Sequence, residues 1–140
     1  TVYKLETNID DCTGEALSYV MERLLAAGAR DVHYLPVYMK KNRPAWQLDV
    51  LCEKKDLRKM EQIIFMETTT IGIRRVLYER TILPRSMKTV QTSYGEVQVK
   101  VCRLDGVERY YPEYESVARL SREKGISYQE LYREVLKEVL

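Results

Sequence analysis

The stretch Val2-Tyr3-Lys4-Leu5-Glu6-Thr7-Asn8-Ile9-Asp10-Asp11-Cys12-Thr13-Gly14-Glu15 decides how the rest of the chain is read. Up to Ile9 the residues alternate, with Tyr3, Leu5 and Ile9 on one side and Lys4, Glu6 and Asn8 on the other. That period of two predicts a strand. From Gly14 the period changes. Leu17, Val20, Met21, Leu24 and Leu25 recur at three and four residues, which predicts a helix with one apolar face. Gly28 suits the position that ends it. Between strand and helix lies a polar turn with two adjacent carboxylates. Two readings of it stand side by side. Asp11 or Thr13 caps the helix by accepting from its unpaired N–H groups, or Asp10 and Asp11 are hard oxygen ligands of the kind Mg²⁺ and Mn²⁺ take.

Working outward, Val32 to Met39 reads as a second strand, apolar on both faces, and Pro36 pushes it toward a sheet edge. Lys40-Lys41-Asn42-Arg43-Pro44 is a polar connection to a third strand, Ala45 to Cys52. Lys55 to Glu67 carries Leu57, Met60, Ile63 and Ile64 at helical spacing. Thr68-Thr69-Thr70 breaks that period, and Ile71 to Leu83 reads as a long fourth strand closed by Pro84. The order β-α-β-β-α-β is the split βαβ, ferredoxin-like arrangement of an α+β protein, expected over residues 1–84.

Residues 85–140 follow another plan. Met87 to Thr92 and Val97 to Leu104 form a hairpin about Tyr94-Gly95. Pro112 opens a short helix ending near Gly125, and Ser127 with Glu130 marks a capping box before a last helix. A unit this small is expected to pack on the first module or on another subunit.

Composition narrows the functional classes. The chain has 140 residues, 45% hydrophobic and 31% charged, and 23 basic against 21 acidic residues leave a net charge of +2. That balance argues against nucleic-acid binding by bulk charge, and no aromatic RNP-type strand is present. No run approaches a membrane span of about 18 apolar residues, and no signal-peptide pattern opens the chain. Cys12, Cys52 and Cys102 are widely spaced and odd in number, so reduced thiols and a cytoplasmic location are expected. The chain begins Thr1-Val2-Tyr3, without Met and already in strand-like sequence, which suggests a domain excised from a longer protein. His33 is the only histidine. It excludes a multi-histidine metal site and reads as a core or interface residue. Cys12 beside a helix start is expected to have a lowered pKa; burial as a small apolar residue is its other reading.

Topology then gathers what a motif scan leaves scattered. In a split βαβ fold, strands one and two end at the sheet edge where strands three and four begin. Asp10-Asp11, Lys40-Lys41-Asn42-Arg43 and Thr68-Thr69-Thr70-Ile71-Gly72 therefore converge. A divalent ion on Asp10 and Asp11 and polyphosphate oxygens on Lys40, Lys41, Asn42 and Arg43 form a charge-balanced set. Thr69, Thr70, Gly72 and Arg74 supply further donors. The plainer readings are a solvated hairpin tip at Lys40-Lys41, a β-branched lead into a strand at Thr68 to Thr70, and surface ion pairs for Arg74 and Arg75 with Glu6, Glu79 or Asp49. No P-loop and no G-x-G-x-x-G is present.

Four motifs occur together and in order: Glu6-Thr7-Asn8-Ile9-Asp10-Asp11-x-Thr13-Gly14-Glu15, Met39-Lys40-Lys41-Asn42-Arg43-Pro44, Glu67-Thr68-Thr69-Thr70-Ile71-Gly72-Ile73-Arg74 and Pro112-Glu113-Tyr114-Glu115. Across essentially the whole chain they resemble the C-terminal domain of the LarC family, nickel-insertion proteins that mature the nickel-pincer nucleotide cofactor of lactate racemase. The resemblance implies a CTP-dependent cyclometallase that inserts Ni²⁺ into pyridinium-3,5-bisthiocarboxylic acid mononucleotide while CTP becomes CMP and diphosphate. It further implies CTP and Mn²⁺ or Mg²⁺ on this domain, a separate N-terminal domain, and homo-oligomers. It assigns no catalytic residue. Cys12 departs from the apolar residue expected at that place. The alternative is a non-catalytic effector-sensing or oligomerisation module of ferredoxin-like fold.

Overall fold

The computed structural model describes all 140 residues, Thr1–Leu140. The chain divides into two compact units, Thr1–Arg80 and Thr81–Leu140.

In the first unit, β1 (Val2–Ile9), α1 (Gly14–Ala26), β2 (Asp31–Met39), β3 (Arg43–Cys52), α2 (Leu57–Glu67) and β4 (Arg74–Tyr78) follow in order. The strands pair in the order β2-β3-β1-β4, every neighbouring pair antiparallel. This is the ferredoxin-like arrangement that the sequence predicts. Alternation places Leu5 and Ile9 of β1 with Leu48 and Val50 of β3 against Leu17, Val20 and Leu24 of α1 and Met60, Ile63 and Ile64 of α2, all buried. Both helices cover that one face. Gly28 at φ 108° lets α1 stop in a Schellman motif, with Gly28 N–H donating to the Leu25 carbonyl (3.1 Å) and Ala29 N–H to Leu24 (3.0 Å).

Two expectations about this unit change. The fourth strand spans only Arg74–Tyr78 rather than residues 71–83. It pairs with β1 alone, from Glu6↔Arg74 to Val2↔Tyr78. Beyond Tyr78, β1 offers no further partner. Strand two is not uniformly apolar on its two faces: Val32 is buried in the core, but Asp31 and His33 occupy the other face and are exposed. Pro36 does lie on a sheet edge, where a missing N–H costs no ladder bond.

The second unit holds β5 (Arg85–Thr92), β6 (Gly95–Leu104), β7 (Val107–Pro112), α3 (Tyr114–Lys124) and α4 (Tyr128–Val139). The hairpin expected from the sequence is a three-stranded sheet, β5-β6-β7. The added strand follows from Asp105-Gly106, an Asp-Gly turn with φ 49° and 77°. Pro112 therefore closes a strand instead of opening a helix, and Glu113 is the residue before α3. Ser127 caps α4 as its sequence predicts, accepting from Glu130 N–H at 3.2 Å. Val90, Val97, Val99, Val117, Leu120, Leu131 and Val135 form a separate core.

Leu17 is fully buried at the centre of the first core. Leu17→Ala is expected to destabilise this unit by about 2–5 kcal/mol, read as a lower urea midpoint, whereas substitution of exposed Glu22 leaves the midpoint unchanged.

Candidate functional site

Asp10 and Asp11 end β1 in an exposed turn. The helix cap is Thr13, whose hydroxyl accepts from Ala16 N–H at 3.1 Å. Neither aspartate is occupied in capping, so their carboxylates are available for other contacts. Each faces one of the two neighbouring loops. The Asp10 carboxylate lies 3.8 Å from the Arg43 guanidinium. The Asp11 carboxylate accepts a hydrogen bond from the Thr69 hydroxyl. The three loops that topology brings to this edge therefore touch through the aspartate pair.

Two open hollows flank the pair. One, of about 370 Å³, is lined by Asp10, Met39, Lys40, Lys41 and Arg43. The other, of about 380 Å³, lies between Asp11, Cys12, Thr13 and Ala16 on one side and Met66 to Thr69 on the other. Both are at the small end of the range for ligand sites. The two carboxylates thus serve adjoining spaces rather than one closed cage, and no group of three or more His, Cys, Asp or Glu side chains is gathered anywhere for a metal.

The basic loop is a single tight turn, Lys40–Asn42, between the paired residues Met39 and Arg43. Lys41 and Asn42 both have positive φ, 61° and 58°. Asn tolerates that region; a lysine does so only at a cost of about 1–2 kcal/mol. Strain of this kind gathers where a side chain or backbone is held for a ligand.

The third loop is organised from beneath by Thr7, which sequence reading passed over. Thr7 is 1% exposed. Its hydroxyl lies 2.6 Å from the Thr70 hydroxyl and donates to the Gly72 carbonyl at 2.9 Å. The signal was legible: alternation sets Thr7 among Leu5 and Ile9 on the core face, and a buried hydroxyl there needs partners. Thr68 is turned inward too, donating to the Ile64 carbonyl at 2.7 Å. Gly72 has open space where a side chain would stand and no unusual φ, so its glycine is not demanded by the backbone.

The predicted site residues thus separate into two groups. Asp10, Asp11, Lys40, Lys41, Asn42, Arg43 and Thr69 meet at the sheet edge and are solvent-facing. Thr70 and Gly72 form the frame held by Thr7. Arg74 lies on the helix-free face of the sheet, donating to Glu6 at 2.9 Å and to Asn8 at 3.2 Å, and Arg75 points the other way to Glu61 at 2.8 Å. The Arg74 guanidinium holds the Glu6 carboxyl below the usual glutamate range, against an opposing effect of burial. Cys12 reverses its expectation: burial, then the Asp11 charge, push its thiol up rather than down. No helix is long and apolar enough to cross a membrane, and all three cysteines are free.

Fold and loop cluster define a ferredoxin-like α+β domain whose charged loops are gathered at one sheet edge. The chain belongs to the nickel insertion protein family, whose model matches residues 1–132. It is 54% identical over 133 residues to the pyridinium-3,5-bisthiocarboxylic acid mononucleotide nickel insertion protein of Alkaliphilus metalliredigens (strain QYMF), covering 95% of this chain and 32% of that protein. It is 43% identical over 136 residues to the protein of the same name from Thermotoga sp. (strain RQ2), covering 96% of this chain and 34% of that one. The chain thus spans about a third of the length of these relatives. Among solved structures it is similar to LarC2, the C-terminal domain of a cyclometallase involved in the synthesis of the NPN cofactor of lactate racemase, in apo form. There the identity is 45% and the TM-score 0.89, covering 99% of this chain and 96% of that one. Protein MK0293 from Methanopyrus kandleri AV19 shares the fold, at 24% identity and TM-score 0.72 over 96% of this chain and 83% of that one.

Lys41→Gly relieves the strained basic turn and is expected to raise stability by about 1 kcal/mol, read as a higher urea midpoint.

Proposed function

We propose that this chain is the nucleotide-handling part of a nickel-insertion enzyme and binds CTP with Mn²⁺ or Mg²⁺ where the three loops meet. The whole protein, with an N-terminal domain beyond this chain, would insert Ni²⁺ into pyridinium-3,5-bisthiocarboxylic acid mononucleotide while CTP is converted to CMP and diphosphate. Family membership supports the nickel chemistry. The observation that carries the nucleotide reading is the aspartate pair set between a basic turn and a threonine turn, with Asp10 beside Arg43 and Asp11 on Thr69.

The residues present fit a hard divalent ion. Mg²⁺ and Mn²⁺ are commonly held by one or two carboxylates with phosphate oxygens and water completing the shell, rather than by an all-protein cage. Asp10 and Asp11 would hold it, directly or through water, and bound there it would draw charge off the phosphates. Lys40, Lys41 and Arg43 lie on the Asp10 side and carry three fixed positive charges toward a triphosphate. Asn42 adds an amide at the same turn. Thr69 orients Asp11, while Thr70 and Gly72, tied to Thr7, keep that loop in place. Arg74 reaches a phosphate or ribose only by leaving Asn8 and Glu6, so its contribution is the smallest of the set.

Calorimetric titration with CTP and Mn²⁺ tests the assignment. Asp10→Ala and Lys41→Ala are each expected to lose at least about tenfold in affinity, consistent with the worth of a charge-assisted contact. Unchanged affinity in both would overturn it.

One observation favours an assembly role alongside. All five residues of β4, which forms a sheet edge, are exposed, among them Val76 at 38%, Leu77 at 56% and Tyr78 at 39%. An apolar open edge of this sort invites a second copy. Sedimentation is expected to give an oligomer that Leu77→Lys dissociates, with a monomeric unmutated chain as the contrary result.

A further inference from the structure

The motif Pro112-Glu113-Tyr114-Glu115 lies outside the loop cluster, at the start of α3 in the second unit. Its Tyr114 stands beside two tyrosines of α4. The ring centroids of Tyr114 and Tyr128 are 5.7 Å apart, and those of Tyr128 and Tyr132 are 6.0 Å apart, the latter pair stacked within 28°. Helical period explains the row. Leu131 and Val135 turn into the second core and are fully buried. Tyr128 and Tyr132, four residues apart, share the neighbouring stripe of α4, and Gln129 and Arg133 share the next one.

Core packing accounts for only part of this aromatic surface. Of the three rings, only Tyr128 packs against the second core. Tyr114 is 63% exposed, and Tyr132 is half-buried. The ion pair of α4 joins Lys137 to Glu134 at 3.4 Å and leaves the exposed Arg133 free. Tyr128, Gln129, Tyr132 and Arg133 together line an open hollow of about 310 Å³ whose walls are mostly apolar. Aromatic walls with one amide and one unpaired guanidinium are the make-up of a small-ligand site.

We propose that this hollow receives the ring of a pyridinium mononucleotide, which lies on Tyr128 and Tyr132 with Tyr114 at the border and its acidic groups on Arg133. A pyridinium ring carries its positive charge in a flat π-system, and the electron-rich face of a phenol attracts such a cation. Carboxylate or thiocarboxylate groups at the ring edge, or the nucleotide phosphate, suit a guanidinium, which meets two acceptor atoms at once. Gln129 offers an amide to the same groups. A neutral nucleobase also stacks on tyrosine but lacks the cation's attraction, so the site distinguishes pyridinium from cytosine. At about 310 Å³, the hollow is near the lower limit for ligand sites. It takes the ring and leaves most of the nucleotide outside, which suits a substrate whose ring edge must stay open to incoming nickel. The choice of a pyridinium rests on the nickel-insertion reading, but the test uses neither CTP nor a divalent ion, so this site and the loop site can fail independently.

Nicotinic acid mononucleotide, a pyridinium ring with one carboxylate and a ribose phosphate, serves as the probe. Titrated into the 140-residue chain with isotope-labelled tyrosine and a chelator present, it is expected to shift the NMR ring signals of Tyr114, Tyr128 and Tyr132. Ribose 5-phosphate is expected to leave them in place. CMP, whose ring is neutral, is expected to bind there at least about fivefold more weakly, the worth of a partly desolvated cation–π contact. Tyr132→Leu, outside the second core, is expected to lower affinity for the probe at least about fivefold, the low end for losing one stacking ring. Arg133→Gln, at an exposed position, is expected to lower it about tenfold, as loss of a charge-assisted contact does. Equal binding of CMP, no shift of the three rings, or unchanged affinity in Tyr132→Leu or Arg133→Gln would overturn the proposal. So would shifts of the same signals with protein concentration that the probe does not displace, which would make the hollow a contact between copies.

Discussion

The double pairing of β1 is the constraint on which the first unit depends. Val2 to Ile9 is bonded to β3 on one side and to β4 on the other, both antiparallel. Once that strand is central, the directions of all four strands follow, and so does the edge at which the turns after β1 and β2 meet the turn before β4. The far end of β4 is set by the same strand, since Tyr78 pairs with Val2 at the start of β1. A chain in which β1 slipped by one residue would turn Leu5, Thr7 and Ile9 away from the helices and expose the core face.

Thr7 shows how one buried hydroxyl carries this constraint into the candidate site. A valine there would have served the core. The hydroxyl instead reaches Thr70 and the Gly72 carbonyl, replacing ladder bonds where β4 has not yet begun. The loop is thereby held without regular secondary structure, and Thr69 is left to meet Asp11. Thr13 takes over the helix cap, leaving Asp10 and Asp11 to face outward. The division of labour among neighbouring polar residues is local, but its consequence is that acidic, basic and hydroxyl groups share one edge.

The two faces of the sheet carry different physics. The covered face is apolar and closes the core. Across the open face runs the row His33, Asp49, Glu6 and Arg74, one residue from each strand in register. Glu6 and Arg74 set opposite charges directly across strands, which supports the sheet modestly, and Lys4 lies 3.3 Å from Glu6 and 3.8 Å from Asp49, between the like-charged pair. Burial of Asp49 to 1% exposure requires that each of its oxygens be met, and Gln47, His33 and Lys4 do so. The sole histidine is therefore not the core residue its apolar neighbours suggested. Period-two alternation puts His33 on the face opposite Val32 and Tyr34, and only strand pairing reveals that an aspartate waits across from it.

Much of this was legible in the residues. Alternation and helical period located six elements of the first unit in the correct order, Gly28 ended α1, and Ser127 capped α4, because each depends on neighbours close in sequence. The convergence of Asp10-Asp11, Lys40–Arg43 and Thr68–Gly72 followed from element order alone. The third strand of the second unit was missed although Asp105-Gly106 announces it, because Pro112 was read as a helix start. What the tertiary structure alone decided is partner choice: Asp11 with Thr69, Thr7 with Thr70, Arg74 with Glu6 and Asn8, His33 with Asp49. Sequence determines which residues share a face, since backbone periodicity is local. Which residue stands opposite depends on register between strands distant in the chain, and that is set by packing of the whole unit.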